Sequence, residues 1–286
     1  MTLVTHMPVA AVARLVGEHD TRLWRVIIHY VEAALARLDL ADLRRVCIDE
    51  TAAKRGHSYI SLFVDIDRRK VVFIADGKDA GTVAEFAEHV DTHNSDASRI
   101  KEVCIDMSGA FIKGVTENLT EAEITFDKFH VMKLIGEAVD KVRRDEVKSR
   151  PELKRSRYLW LRNENNLTAE QSAQLGSLSQ TNLKTARAYH LRLTFQDIYK
   201  ERSRAWAAIL FDKWYAWARR CRLQPMKDVA ATMQRHRDGI LASWRSQAPL
   251  GRSTAASPTV SLDEAELGEV VADAAASPLL LVLGRL

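Results

Sequence analysis

The chain is poor in cysteine, has no Cys-x-x-Cys spacing and lacks any long apolar run. Its three cysteines, Cys47, Cys104 and Cys221, are too scattered to form a disulfide framework or a tetrahedral zinc site. All three are read as reduced core thiols. The longest purely aliphatic run, Leu279–Leu283, falls far short of the roughly 20 residues a membrane span needs. No secretory leader is expected. These absences exclude disulfide scaffolds, zinc modules and membrane proteins, and the expectation is a soluble, cytoplasmic protein without a membrane partner.

Apolar residues make up 47% of the chain and charged residues 28%, so it can bury a core and is not disordered throughout. The formal net charge of +4 is unevenly spread. Between Lys133 and Arg245 there are 24 Lys and Arg against 12 Asp and Glu. Such a block suits a polyanion such as nucleic acid, although solvated helix faces carry the same signature.

At the N-terminus, Pro8 with Val9, Val12, Ala13 and Val16 predicts one helix. Gly17 suits a left-handed turn, Asp20 or Thr21 can cap, and Leu23, Trp24, Ile27, Ile28 and Val31 form the stripe of a second helix. Two helices about a small residue and a turn glycine match a helix-turn-helix, and equally an ordinary helical hairpin.

From 44 to 131 β-branched runs dominate. RRVCIDE and HSYISLFVDIDRRKVVFIADG predict three strands, the last two a hairpin about Asp67-Arg68-Arg69. A helix over Thr82–Val90, a strand over Ile100–Asp106, a helix over Phe111–Asn118 and a short strand over Glu123–Phe126 complete a mixed five-stranded α/β sheet. Other α/β folds with the same elements stay open. Beyond 130 only helices are expected: one over His130–Arg144, two or three within 148–200, and one over Ala205–Cys221. The last presents Trp206, Ile209, Leu210, Trp214, Trp217 and Cys221 on one face, read as packing core in preference to a base-stacking platform. After Gln247 the texture changes, and 248–286 contain neither lysine nor an aromatic residue.

Val-Cys-Ile-Asp occurs twice, in VCIDE at 46–50 and VCIDM at 103–107. In each strand the cysteine lies two positions before the aspartate, so both point to the same side. Were the two strands neighbours, Asp49 and Asp106 would meet across one inter-strand gap. Carboxylates that close repel unless a cation lies between them or one is protonated. Magnesium accepts such a ligand pair, and a two-metal site could drive in-line phosphoryl displacement. Both acids could instead serve turns or helix starts.

VCIDETAAKRGHSYISLFVDIDRRKVVFIADGKD and VCIDMSGAFIKGVTENLTEAEITFDKFHVMKLIGEAVDKVRR resemble the DDE transposases of bacterial insertion sequences, ISL-three group. The resemblance covers about 7–246 and is most specific at 47–57, 104–112 and 126–134. It implies a ribonuclease H-like mixed five-stranded sheet over 41–135, preceded by a helix-turn-helix in 1–40 and followed by a large, basic, all-helical insertion over 136–247. It also implies that Asp49 and Asp106 are two acids of a catalytic and metal-binding triad served by Mg2+ or Mn2+. Asp127 and His130, in FDKFHV, are accessory candidates or simply hold the turn. The implied partner is double-stranded DNA at element ends, cleaved and transferred by a homodimer. Arg22 and Arg25 would reach DNA from the helix-turn-helix, and Lys141, Arg143 and Arg144 would neutralise phosphates from the insertion.

Two departures qualify this. Family members normally begin with a zinc-binding cysteine cluster, which is absent here. After HRDGILASWRSQ they continue through Asn-Gly to a Glu-Gly-x-Asn context carrying the third acid, whereas this chain runs into APLGRSTAASPTVSLDEAELGEVV. The third acid is therefore unassigned, and 248–286 read as a divergent or frameshifted tail. The expectation is an inactive, shortened transposase copy, with a DNA-binding remnant without catalysis as the alternative.

Overall fold

The computed structural model describes residues 2–52 and 59–244. They fall into two compact units, one holding Met1–Thr125 and the other beginning at Phe126.

The first unit opens with α1 (Thr2–His6), α2 (Val9–Val16) and α3 (Asp20–Leu35). Gly17 takes φ +70° and its N–H closes α2 onto the Ala13 carbonyl, a conformation a Cβ would strain. Val4, Val9, Val12, Ile27 and Val31 form the small core, with Leu23 and Trp24 packed against it. Val16, expected inward, is exposed, and α3 begins at Asp20 itself, with His19 at the cap position.

The sheet follows as β1 (Arg45–Ala52), β2 (Tyr59–Asp65) and β3 (Lys70–Asp76), then α4 (Ala80–Asp91), β4 (Glu102–Ile105), α5 (Gly109–Asn118) and β5 (Glu123–Phe126). Strand order is β3-β2-β1-β4-β5, with β1–β2 and β2–β3 antiparallel and β1–β4 parallel. This is a ribonuclease H-like α/β arrangement with a mixed five-stranded sheet. The β2–β3 turn forms because buried Asp65 accepts from the N–H groups of Asp67 and Arg68 at 2.9 and 3.0 Å, an Asx turn that also uses Arg69 at φ +53°. On one face, Phe63 stacks on Phe86 of α4 at 4.4 Å, with Phe73 alongside. Val64 lies opposite Cys47 on β1, and these two with Cys104 form a separate cluster. Asp79 caps α4 through the N–H of Gly81.

The second unit is helical. It comprises α6 (Lys128–Glu146), α7 (Arg157–Leu161), α8 (Ala169–Ser179), α9 (Lys184–Ile198), α10 (Arg204–Ala218), α11 (Gln224–Arg235) and α12 (Arg237–Ala242). The long α6 packs on α9, α7 and α11, and α10 packs on α9, α11 and α12. A buried carboxylate ties it together. Glu146, at the end of α6, accepts from the N–H of Lys184 at 2.8 Å, and from the N–H and Oγ1 of Thr185 at 2.7 and 2.8 Å. It thereby caps α9, whose own cap residue, Leu183, has no side-chain acceptor.

The expected orientation of α10 is corrected. Its buried residues are Ala207, Phe211, Trp214 and Ala218. Of the face predicted as core, only Trp214 is buried, while Trp206, Ile209 and Trp217 are exposed at 59%, 43% and 43%. Alanines at 207 and 218 let the neighbouring backbones come close. The large side chains one third of a turn round are therefore left outside. Among the described residues no helix is long and apolar enough to cross a membrane.

Candidate active site and nucleic-acid surfaces

The parallel ladder between β1 and β4 pairs Arg45 with Glu102, Val46 with Val103 and Cys47 with Cys104. The repeated Val-Cys pairs with itself, in register. The ladder ends at the cysteine pair, two residues short of each aspartate. Continued unchanged, it would bring Asp49 and Asp106 level on the face that carries the two cysteines. Asp106 is the first residue beyond β4, and Asp49 lies within β1. Both are half-buried.

Each carboxylate is oriented by its own backbone. Asp49 Oδ1 accepts from the Glu50 N–H, and Asp106 Oδ1 accepts from the Ser108 N–H, both at 2.8 Å. The second contact places Asp106 at the start of α5, where Ser108 is the cap position but makes no side-chain cap bond. Across the antiparallel pair from Asp49 stands Leu62, fully buried. Two carboxylates brought close repel, and a divalent cation between them would remove that cost.

The donor set therefore suits one hard cation. Magnesium is commonly held by one or two carboxylates, with water and phosphate oxygens completing its shell. A pair of metals needs further ligands. Among the described residues no three His, Cys, Asp or Glu side chains come together in a way that could hold a metal ion.

Asp127 and His130 lie together in the helical unit. Asp127 caps α6 through the N–H of Phe129 at 3.2 Å, and its Oδ2 lies 3.0 Å from His130 Nδ1. With Asp127 at 4% exposure, this arrangement makes a helix start.

The basic side chains separate by environment. Arg22 and Arg25 are exposed on α3, Arg22 in an i,i+4 pair with Glu18 at 2.9 Å. On α6, Lys141 and Arg144 are exposed. Arg143 is different: its side chain is 11% exposed and bonds Asp140 at 2.8 Å, leaving little to offer a phosphate. Asp140 also gathers Arg144 at 3.3 Å and Arg157 at 3.6 Å. Hydrophobic periodicity had assigned the exposed Trp206 and Trp217 to the core.

Comparison with known proteins places these features in context. The transposase model for the DDE enzymes of group ISL3 matches residues 46–255, and the helix-turn-helix domain of transposase family ISL3 matches residues 1–31. The transposase for insertion sequence element IS1001 of Bordetella parapertussis is 32% identical over 223 residues, covering 75% of this chain and 54% of that protein. The transposase for insertion sequence element IS1557 of Mycobacterium tuberculosis is 30% identical over 253 residues, covering 77% and 56%. The chain thus spans about half the length of the curated relatives it matches.

Proposed function

Because the chain belongs to the ISL3 family of DDE transposases, we propose that it binds the double-stranded DNA of insertion-element ends and holds one divalent cation, Mg2+ or Mn2+, on Asp49 and Asp106. The observation that supports the metal reading is the in-register pairing of Cys47 with Cys104, each two residues before its aspartate. A cation bound there supplies electrostatic stabilisation of charge developing on a phosphodiester. Asp49 and Asp106 orient it, each aimed by a backbone N–H. Two acids do not make a two-metal site, so strand cleavage and transfer by these 286 residues alone is not part of the proposal.

Each segment has its own role in this reading. Residues 1–40 recognise the end, with Arg22 and Arg25 on the exposed side of α3. The strands between Arg45 and Phe126 form the cation-binding sheet. The helices from Lys128 to Ala242 neutralise phosphates, with Lys141 and Arg144 among the contributors. The place of action is the cytoplasm, and the assembly on paired ends is a homodimer.

Isothermal titration with Mg2+, on the chain and on Asp49→Asn and Asp106→Asn, tests the cation reading. Binding lost in both variants supports it, and binding kept in either refutes it. A gel-shift series at rising salt tests the DNA reading: affinity should fall steeply with ionic strength and need no metal. Metal-dependent nicking of element ends by the purified chain would show that it carries out strand cleavage as well.

A further inference from the structure

The helix α10 carries two apolar faces, and only one is used. Ala207, Phe211, Trp214 and Ala218 face the helical core. Inside it the indole N–H of Trp214 donates to the Leu191 carbonyl at 2.8 Å. About a third of a turn round lie Trp206, Ile209, Lys213 and Trp217, all exposed, with Leu210 half-buried beside them. The two outer indoles are eleven residues apart, so this face runs about 16 Å along the helix. Large indoles left in water on a folded surface mark an interaction site more often than isolated aliphatics do.

Charge identifies the partner. From Arg202 to Arg222 six cationic side chains, Arg202, Arg204, Lys213, Arg219, Arg220 and Arg222, stand against a single carboxylate, Asp212. Asp212 is already engaged by Arg237, through two contacts of 2.9 and 3.0 Å. A second copy docking on this face would bring like charge onto like charge. An uncharged lipid or an uncharged protein would leave the cations unanswered, and an anionic lipid surface offers no flat ring for the indoles to stack on. The complement is a polyanion with flat apolar faces of its own, which describes nucleic acid whose bases are unpaired and able to stack on indole.

We propose that the α10 face formed by Trp206, Ile209 and Trp217 is a stacking platform for unpaired DNA bases, framed by Lys213 and the neighbouring arginines. The proposal rests on the DNA-binding reading above and adds to it that this face engages bases, where Lys141 and Arg144 engage phosphates. Duplex ends bound elsewhere on the chain would present a frayed or locally opened stretch to it. An apolar wedge such as Ile209 beside two stacking rings suits a distorted step better than a closed helix.

The experiment titrates the full chain with a short oligothymidylate, an abasic oligomer of the same length and a closed duplex, reading tryptophan quenching and gel shift together. Tighter binding and quenching with oligothymidylate than with the abasic oligomer is expected, because the two share phosphates and differ only in bases. Trp206→Ala and Trp217→Ala should each weaken oligothymidylate binding about tenfold and leave duplex affinity unchanged. Trp206→Phe, which keeps a stacking ring, should recover most of the loss. Equal affinity for the abasic oligomer would overturn the proposal in favour of phosphate contact alone. Variants that bind oligothymidylate normally but change the sedimentation of the chain would overturn it in favour of an interface between copies. Failure of every DNA to bind the folded chain would instead refute the parent DNA-binding reading.

Discussion

Replacing Glu146 tests how the helical unit is held together. Its carboxylate sits at 9% exposure and receives three hydrogen bonds of 2.7 to 2.8 Å at the N-terminus of α9. The link spans 38 and 39 residues of sequence. A hydrogen bond to a charged group is worth about 1.5–3 kcal/mol, and leaving a buried donor unpaired costs about 1–3 kcal/mol. Because the three bonds share one carboxylate they do not add. Glu146→Ala should therefore destabilise this unit by about 3–5 kcal/mol. Glu146→Gln keeps the shape and one acceptor oxygen but loses the charge at the helix N-terminus, and should cost about 2 kcal/mol. Five of the six tryptophans, Trp160, Trp206, Trp214, Trp217 and Trp244, lie beyond Phe126, so urea unfolding followed by tryptophan fluorescence reports on this unit. Since α10 packs on α9, a weakened cap should also reduce binding that depends on α10. A loss below about 0.5 kcal/mol in both variants would show that the α9 N–H groups find water just as well, and the argument would fail.

Asp49→Asn should abolish Mg2+ binding in calorimetry while leaving the metal-free fold intact by circular dichroism; unchanged binding would contradict the cation reading. Arg144→Ala should weaken duplex binding and reduce the salt slope by about one, whereas Arg143→Ala should lower stability, since its guanidinium serves Asp140. Gel shifts and urea melts on the two variants would separate these effects. Burial, followed by the neighbouring His93, lowers the His89 pKa from 6.5 to about 4. The unfolded chain therefore takes up the proton first, and the stability tied to neutral His89 is complete above pH 6.5 and lost as pH falls toward 4. Denaturation midpoints across that window should drop less in His89→Phe, and equal slopes would rule His89 out as the source.

Much of the first unit was legible because its determinants are local. Runs such as YISLFVD and KVVFIAD are rich in β-branched and aromatic residues, which favours strands. The first is buried on both faces, while the second, at the sheet edge, buries one side and half-buries the other. The polar break between them contains the aspartate that builds the turn. Element boundaries moved by a few residues, as at β4, which runs from Glu102 to Ile105 where Ile100–Asp106 was expected. The twin Val-Cys-Ile-Asp runs were visible as a repeat, but that they lie beside each other was a condition the sequence could not supply.

The helical unit shows where local reasoning stops. On α10 the indoles at 206, 214 and 217 look alike in sequence, and periodicity allowed one apolar face where the helix has two. Which face turns inward depends on how closely α9 and α11 approach, and the alanines at 207 and 218 permit that approach. Arg143 and Arg144 are likewise indistinguishable until Asp140, packed against the first, removes it from the surface. Composition and alternation determined the strands, the helices, the basic block and the paired motif, because propensity and period act within a few residues. Only the tertiary structure decided that β1 lies parallel to β4 with cysteine on cysteine, that Glu146 caps a helix far along the chain, and that two indoles face water, because each is settled by a partner distant in sequence.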